Sequence, residues 1–326
     1  MAKTVIGLDI GSHSLKVVEL KKSRTDITLV SCGVKKIPKD TILEEQHGVL
    51  RELLREAGVI SNKVKTSVSG KDIITRYDVF PAMNKMALVH SLKFEHEKYI
   101  PLPLAECIVD IDIIGKRPNG TMDALIVSAK KDYIQERVNL VKRSGLLPQA
   151  ITTDAIALYK GFVESPFFSK NVSFVLLNLG FSVTNLIIVK EGELIFSRDI
   201  NIGGDNFNKS IADNLGIPID DAEKMKIESP NDSVMEALAI DLNSLISEAE
   251  LSIAYSRKNH GLSNIECVYL SGGSSRLAGL TNILGNALEM KIDFWNPFIK
   301  LKKGKNSPIL EKNFYDLVLA LGIALS

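Results

Sequence analysis

The feature that most constrains the fold is a strand–turn–strand unit that occurs twice, about half a chain apart. Val5–Ile10 and Leu15–Leu20 read as strands flanking Gly11-Ser12-His13-Ser14, and Asp26–Cys32 supplies a third. Phe174–Leu179 and Asn185–Val189 flank Gly180-Phe181-Ser182-Val183-Thr184, and the Glu191-Gly192 turn leads to a third strand, Glu193–Asp199. Asp9-Ile10-Gly11-Ser12 and Asn178-Leu179-Gly180-Phe181 thus open equivalent frames. Alternating and continuous apolar runs bounded by glycine mark strands. One duplication over this length is not a short-period repeat array. It predicts two lobes of an α/β fold, each begun by a three-stranded meander and facing the other across a cleft.

Size and charge narrow what such a chain can do. It has 326 residues, 45% hydrophobic and 24% charged, with 40 Lys+Arg against 39 Asp+Glu. A chain of this length buries roughly 75% of its unfolded surface and commonly divides into domains. Near-neutrality argues against a general nucleic-acid binder, whose affinity rests on an excess of basic side chains. Cys32, Cys107 and Cys267 are far apart in the chain and show neither metal-ligand nor redox-pair spacing, which suits a reducing compartment. Asp9 interrupts the N-terminal apolar run too early for a secretory leader. The uncharged stretch 171–189 carries Asn178, Gly180, Ser182 and Asn185 near its middle, and reads as two strands around a turn rather than a membrane span.

Between the two units the pattern changes. A helix near Asn84–Tyr99 ends at Ile100-Pro101-Leu102-Pro103, and Glu106–Ile114 and Met122–Ala129 form a hairpin through Pro118-Asn119-Gly120. A helix over Lys131–Ser144 and a strand near Gln149–Thr153 complete a small α+β module, expected as an insertion over 82–153. The first lobe then takes 1–81 and 154–170, the second 171–200 and 262–312, with a helical subdomain over 201–261. The apolar helix 313–326 returns to the first lobe. The cluster Lys300, Lys302, Lys303, Lys305 reads as a solvated loop.

Three glycine turns carry the chemistry: Gly11-Ser12, Gly203-Gly204-Asp205 and Gly272-Gly273-Ser274. Glycine lets backbone N–H groups approach phosphate closely, and a following helix adds its N-terminal dipole. Each such turn alone is more often only a tight turn; two in duplicated frames converge on one cleft. Lys16, on the second strand, can reach back to a phosphate, and Asp9 can hold Mg²⁺ directly or through water. His13 sits in the first turn and reads as a solvent-facing side chain rather than a catalytic one. His90 and His96 lack a His-Glu-x-x-His pattern.

With these residues in view, Ile6 through Ser12 with Ser14 and Lys16 resemble the first phosphate motif of the actin/DnaK/sugar-kinase superfamily. Asn178-Leu179-Gly180 through Thr184 is similar to its second phosphate motif, and Val268 through Ser275 to its adenosine motif. Phe80-Pro81-Ala82-Met83, Phe94 through Pro103 and Ile108 through Asp112 resemble the PilM family of type IV pilus assembly proteins, relatives of the cell-division protein FtsA. Ser197 through Asp205 and Leu319 through Leu325 fit that family too.

The resemblance implies an actin-like, duplicated ribonuclease H-like fold of two lobes with an FtsA-like inserted subdomain. It implies ATP and Mg²⁺ in the cleft, contacted by Asp9, Gly11, Ser12, His13, Ser14, Lys16, Asn178, Gly180, Thr184, Gly203, Gly204, Asp205, Gly272, Gly273 and Ser274. It further implies a groove between the core of the first lobe and its inserted module for the N-terminal cytoplasmic tail of PilN, and a ring at the cytoplasmic face of the bacterial inner membrane, reached through that partner, in the service of twitching motility. Asn178 stands where the family's second phosphate motif begins with Asp, so metal binding and turnover are weakened, to a weak ATPase at most. Asp154 is a candidate polar group beside an attacking water, or simply the N-cap of a helix over Ala155–Val163. The alternatives are a filament-forming cytoskeletal ATPase and a small-molecule kinase, the latter with Asp110 or Asp112 as base.

Overall fold

The structure is a computed structural model and describes residues 3–24, 26–100, 102–116, 118–228, 231–306 and 310–326. Pro101 of the family-like segment and Ser229-Pro230, before the long helix, lie outside the described residues. The first half runs β1 (Lys3–Ile10), β2 (Ser14–Lys22), β3 (Ile27–Lys36), α1 (His47–Glu56), β4 (Lys63–Val68), β5 (Ile73–Pro81), α2 (Lys85–Glu95), β6 (Cys107–Lys116), β7 (Thr121–Lys130), α3 (Lys131–Arg143), β8 (Leu147–Thr153) and α4 (Asp154–Val163). The second runs β9 (Ser173–Leu179), β10 (Thr184–Lys190), β11 (Glu193–Ile200), α5 (Gly204–Leu215), α6 (Ile219–Glu228), α7 (Asp232–His260), β12 (Ile265–Ser271), α8 (Leu280–Leu288), β13 (Ile292–Phe294), β14 (Lys302–Asn306) and α9 (Leu310–Leu325).

Two sheets carry the duplication. One has the order β14-β3-β2-β1-β4-β8, the other β11-β10-β9-β12-β13. Apart from β14 they are the same: an antiparallel meander whose first strand pairs in parallel with a later one. Central parallel strands are covered on both faces and therefore read as unbroken apolar runs. That is why every residue of β9 is buried, and why Ile6 and Leu8 of β1 pack into one cluster while Val5 packs into another on the opposite face. The registers coincide as well. Asp9 stands opposite Lys16 across β1 and β2, and Asn178 opposite Asn185 across β9 and β10.

A third sheet, β5-β7-β6, forms with α2 a module that has its own core of Phe80, Leu88, Leu92, Ile111, Met122 and Ile126. The Asn84 side chain caps α2 by accepting from the Ala87 N–H at 2.8 Å. The pairing departs from the sequence expectation here. β5, expected in the first lobe, runs antiparallel to β7 from Ile73–Ala129 to Pro81–Thr121. Its edge position tolerates Pro81, which has no N–H to donate. β8, expected in the insertion, instead pairs in parallel with β4, and Leu140 and Val141 of α3 pack in the first lobe's core. The three-stranded module therefore spans 73–130 rather than 82–153. β14 is a further correction: 302–306, read as a solvated loop of the second lobe, pairs in parallel with β3 of the first.

α4 and α9 cross between the lobes at glycine. A Cβ on Gly161 would come 3.2 Å from Gly322 Cα, and one on Gly322 would strike the Ala157 carbonyl. Gly7 makes the same accommodation for α9 on β1, where a Cβ would lie 2.5 Å from the Ala324 nitrogen. Small residues at all three points let the helices approach each other and β1 closely.

Candidate functional site

The β1–β2 turn, the β9–β10 turn and the end of β12 meet around one cavity of about 550 Å³, within the usual range for small-molecule sites. All three turns are built so that side chains stay out. A Cβ on Gly11 would lie 2.9 Å from the Ser14 carbonyl and 3.0 Å from Lys16 Nζ; one on Gly180 would lie 2.6 Å from the Val183 carbonyl. Gly272 has φ +86° and would drive a Cβ into the Leu179 carbonyl. Only glycine adopts these positions without displacing the neighbouring turn.

The electrostatics of the cavity are paired but not uniform. Lys16 Nζ lies 3.0 Å from Asp9 Oδ2, with both side chains largely buried. Ser67 Oγ donates to Asp154 Oδ1 at 2.5 Å. Burial of Asp154 and then the nearby Asp9 carboxylate push the Asp154 carboxyl up to about 6, against the two serine hydroxyls that hold it down. Arg137 reaches in from α3, donating to the Ile10 carbonyl at 3.2 Å and to Tyr133 Oη at 2.5 Å. At the far end Arg276 lies 3.8 Å from Asp316, whose carboxyl burial shifts upward in spite of that guanidinium. On α6, fully buried Lys226 is held by Asn208 at 2.6 Å and Glu223 at 3.1 Å.

The two phosphate-type turns also touch each other. Ser12 Oγ and Ser182 Oγ are 2.7 Å apart, and the His13 and Phe181 rings stack at 4.4 Å with 21° between planes. Burial, followed by the charge of Lys36, lowers the His13 pKa, so the ring is neutral at pH 7.

Asp9, Gly11, Ser12, His13, Ser14, Lys16, Asp154, Asn178, Gly180, Gly272, Gly273 and Ser274 all line the cavity. Four other candidates stand behind it. Thr184 is fully buried and its hydroxyl donates to the Ile202 carbonyl at 2.7 Å. Gly203 and Gly204 pack against the second turn, where the Gly204 N–H donates to the Gly180 carbonyl at 3.0 Å and the Asp205 N–H to the Phe181 carbonyl at 2.8 Å. The Asp205 carboxylate pairs with Lys209. These residues shape the turn rather than face the cavity. Unforeseen lining residues are Arg137, Asn185, Glu223, Arg276 and Asp316. Only Asn185 carried a signal, its register match to Lys16.

A model of the family described as type IV pilus assembly protein PilM matches residues 7–326. The chain belongs to the PilM family. The solved structure of a PilM–PilN type IV pilus biogenesis complex superposes on this PilM family member with a TM-score of 0.88 at 23% identity, covering 98% of this chain and 97% of the other. Ta0583, an archaeal actin homologue, gives 0.51 at 12% identity over 99% and 98% of the two chains. The cell division protein FtsA of Bacillus subtilis (strain 168) is 22% identical over 278 residues, 73% of this chain; the chain spans 62% of the length of that relative. The fold is actin-like.

The residues present fit a nucleoside triphosphate. The three Cβ-excluding turns offer backbone donors, and Lys16 and Arg276 supply positive charge. Among the described residues no group of three or more His, Cys, Asp or Glu side chains converges on a metal-sized site. A Mg²⁺ ion that keeps most of its waters needs only one or two carboxylates, and Asp9 and Asp154 are the carboxylates that would hold it. Among the described residues no helix is long and apolar enough to cross a membrane.

Proposed function

We propose that the chain is an ATP-binding adaptor of the type IV pilus assembly platform, working at the cytoplasmic face of the bacterial inner membrane, and that it takes the N-terminal tail of PilN. The observation that carries the nucleotide half is the meeting of glycine turns from both lobes on one cavity. A triphosphate held there touches both lobes at once and favours their closed arrangement. Lys16 exchanges Asp9 for a phosphate oxygen; Arg276 and Glu223 flank the nucleoside end. When bound, Mg²⁺ neutralises phosphate charge, with Asp9 and Asp154 as its water-mediated holders. Asn178 brings an amide to the place where a second metal-side carboxylate would stand, which favours binding over turnover.

Support for the partner half comes from a groove of about 510 Å³ between the end of β4, β5 and β11. It shares Val68, Ser69 and Asp154 with the nucleotide cavity, so closure of the lobes alters both. The kinase reading loses its base: Asp110 and Asp112 are exposed on β6 and line neither space.

Titrating a PilN tail peptide into the protein with and without ATP tests the proposal. Coupling of the usual size changes the peptide's affinity roughly 5- to 150-fold. Equal affinity in both titrations rejects the coupling, and no affinity in either rejects the adaptor.

A further inference from the structure

Four polar side chains stand at paired positions on four neighbouring strands of the second lobe. Ser271 of β12 is opposite Asn178 of β9, Asn178 opposite Asn185 of β10, and Asn185 opposite Asp199 of β11. They form one hydrogen-bonded row. Ser271 Oγ donates to Asn178 Oδ1 at 3.1 Å, Asn178 Nδ2 to Asn185 Oδ1 at 2.9 Å, and Asn185 Nδ2 to Asp199 Oδ1 at 2.8 Å. The row leaves the sheet at its far edge. There the backbone N–H of Gly70, in the first lobe's β4–β5 loop, donates to Asp199 Oδ2 at 2.6 Å.

Every donor in this row points one way. An amide presents one acceptor and one donor end, so turning any member would set oxygen against oxygen at the next. Asp199, acceptor-only as a carboxylate, fixes that sense. Asn178 also lines the nucleotide cavity, and its NH₂ carries a second hydrogen beyond the one given to Asn185. An anionic oxygen that accepts this hydrogen holds the amide in the orientation the row requires, and hydrogen bonds in series polarise one another. The other end is a contact between the lobes. One further side-chain contact, Tyr77 Oη to Ser197 Oγ at 3.0 Å, joins β5 to β11 outside the row.

We propose that this row is a link through which phosphate at the cavity tightens the hold of the second lobe on Gly70, at the root of the inserted module. Asn178 is then a relay residue, and the carboxylate it replaces would have broken the relay. The inference rests on the nucleotide-binding reading above and adds how the cavity regulates the module.

The test is hydrogen exchange of the Gly70 amide in the full chain, with and without Mg-ATP, beside calorimetry of ATP on the same samples. In the unmodified protein, saturating Mg-ATP is expected to slow Gly70 exchange about tenfold, a typical coupling. In Asp199→Asn, an NH₂ group replaces one of the two oxygens that accept from Asn185 and Gly70 and sets donor against donor there; ATP should still bind but leave Gly70 exchange unchanged. Ser197→Ala, off the row, should keep the ATP response. ATP binding without any change at Gly70 in the unmodified protein, or a full response in Asp199→Asn, overturns the link alone. No calorimetric binding to the unmodified protein removes the nucleotide reading and the link with it. The measurement on the unmodified chain decides the matter even where a variant folds poorly.

Discussion

The two lobes solve the same structural problem with opposite chemistry. At one register position, seven residues apart along each meander, the first lobe places the ion pair Asp9–Lys16 and the second the amide pair Asn178–Asn185. Backbone, turn and burial match; charge does not. A buried ion pair can trade partners with a charged ligand, since each member keeps a strong demand for an opposite charge. An amide pair exchanges nothing but can pass on orientation. The duplicated frame thus gives one half that engages phosphate and one half that registers it.

Removing the charge in the first half should have the largest effect. Lys16→Ala strands Asp9 and deletes a charge-assisted contact worth about 1.5–3 kcal/mol, so ATP affinity should fall roughly 10- to 150-fold by calorimetry. Asn185→Ala, at the matching position, should weaken ATP by less than tenfold. Similar losses in both variants would erase the distinction between the lobes.

Copying the first half into the second comes next. Asn178→Asp faces its new oxygen toward Asn185 Oδ1 and leaves a buried acceptor without a donor, at about 1–3 kcal/mol. Denaturant unfolding at pH 7 should show that loss. Adding Asn185→Lys rebuilds the ion pair and should recover more than half of it; no recovery would mean that the two registers are not equivalent.

The smallest effect concerns pH. Asp154 has a folded pKa near 6, above its unfolded value of 3.8, so between them the native state binds more protons than the unfolded one. Its contribution to stability is therefore full below about pH 4 and is lost as pH rises through about 6. Because the side chain opens on the cleft, we expect the decline to amount to about 1–2 kcal/mol, discounted from the ~1.4 kcal/mol per pKa unit of a sealed site. Asp154→Asn should flatten the profile between pH 4 and 7. An unchanged profile would place the titration elsewhere.

Much of this arrangement was legible in the chain. Glycines at 11, 180 and 272 marked the turns because no other residue fits there, and the apolar runs of β1 and β9 marked central strands. What was hidden depended on pairing at a distance. The residues of β5 suit either sheet, and only their antiparallel match to β7 decides. β8 looked like the end of the insertion because it follows α3 directly, yet its partner β4 lies some eighty residues earlier. Thr184 shows the limit of motif reading: as the first residue of β10 it turns inward to the Ile202 carbonyl, although it adjoins the turn. Arg137, Arg276 and Asp316 reach the cavity from α3, the turn after β12 and α9, with no local pattern to announce them.

The central claim is that one triphosphate is gripped by turns from both lobes. A crystal structure at saturating ATP and Mg²⁺ tests it most directly. Density for the phosphates is expected between the Gly11 and Gly180 turns, with Lys16 Nζ moved from Asp9 to a phosphate oxygen. Nucleotide bound elsewhere, or a cleft that stays empty with the Asp9–Lys16 pair intact, would contradict it.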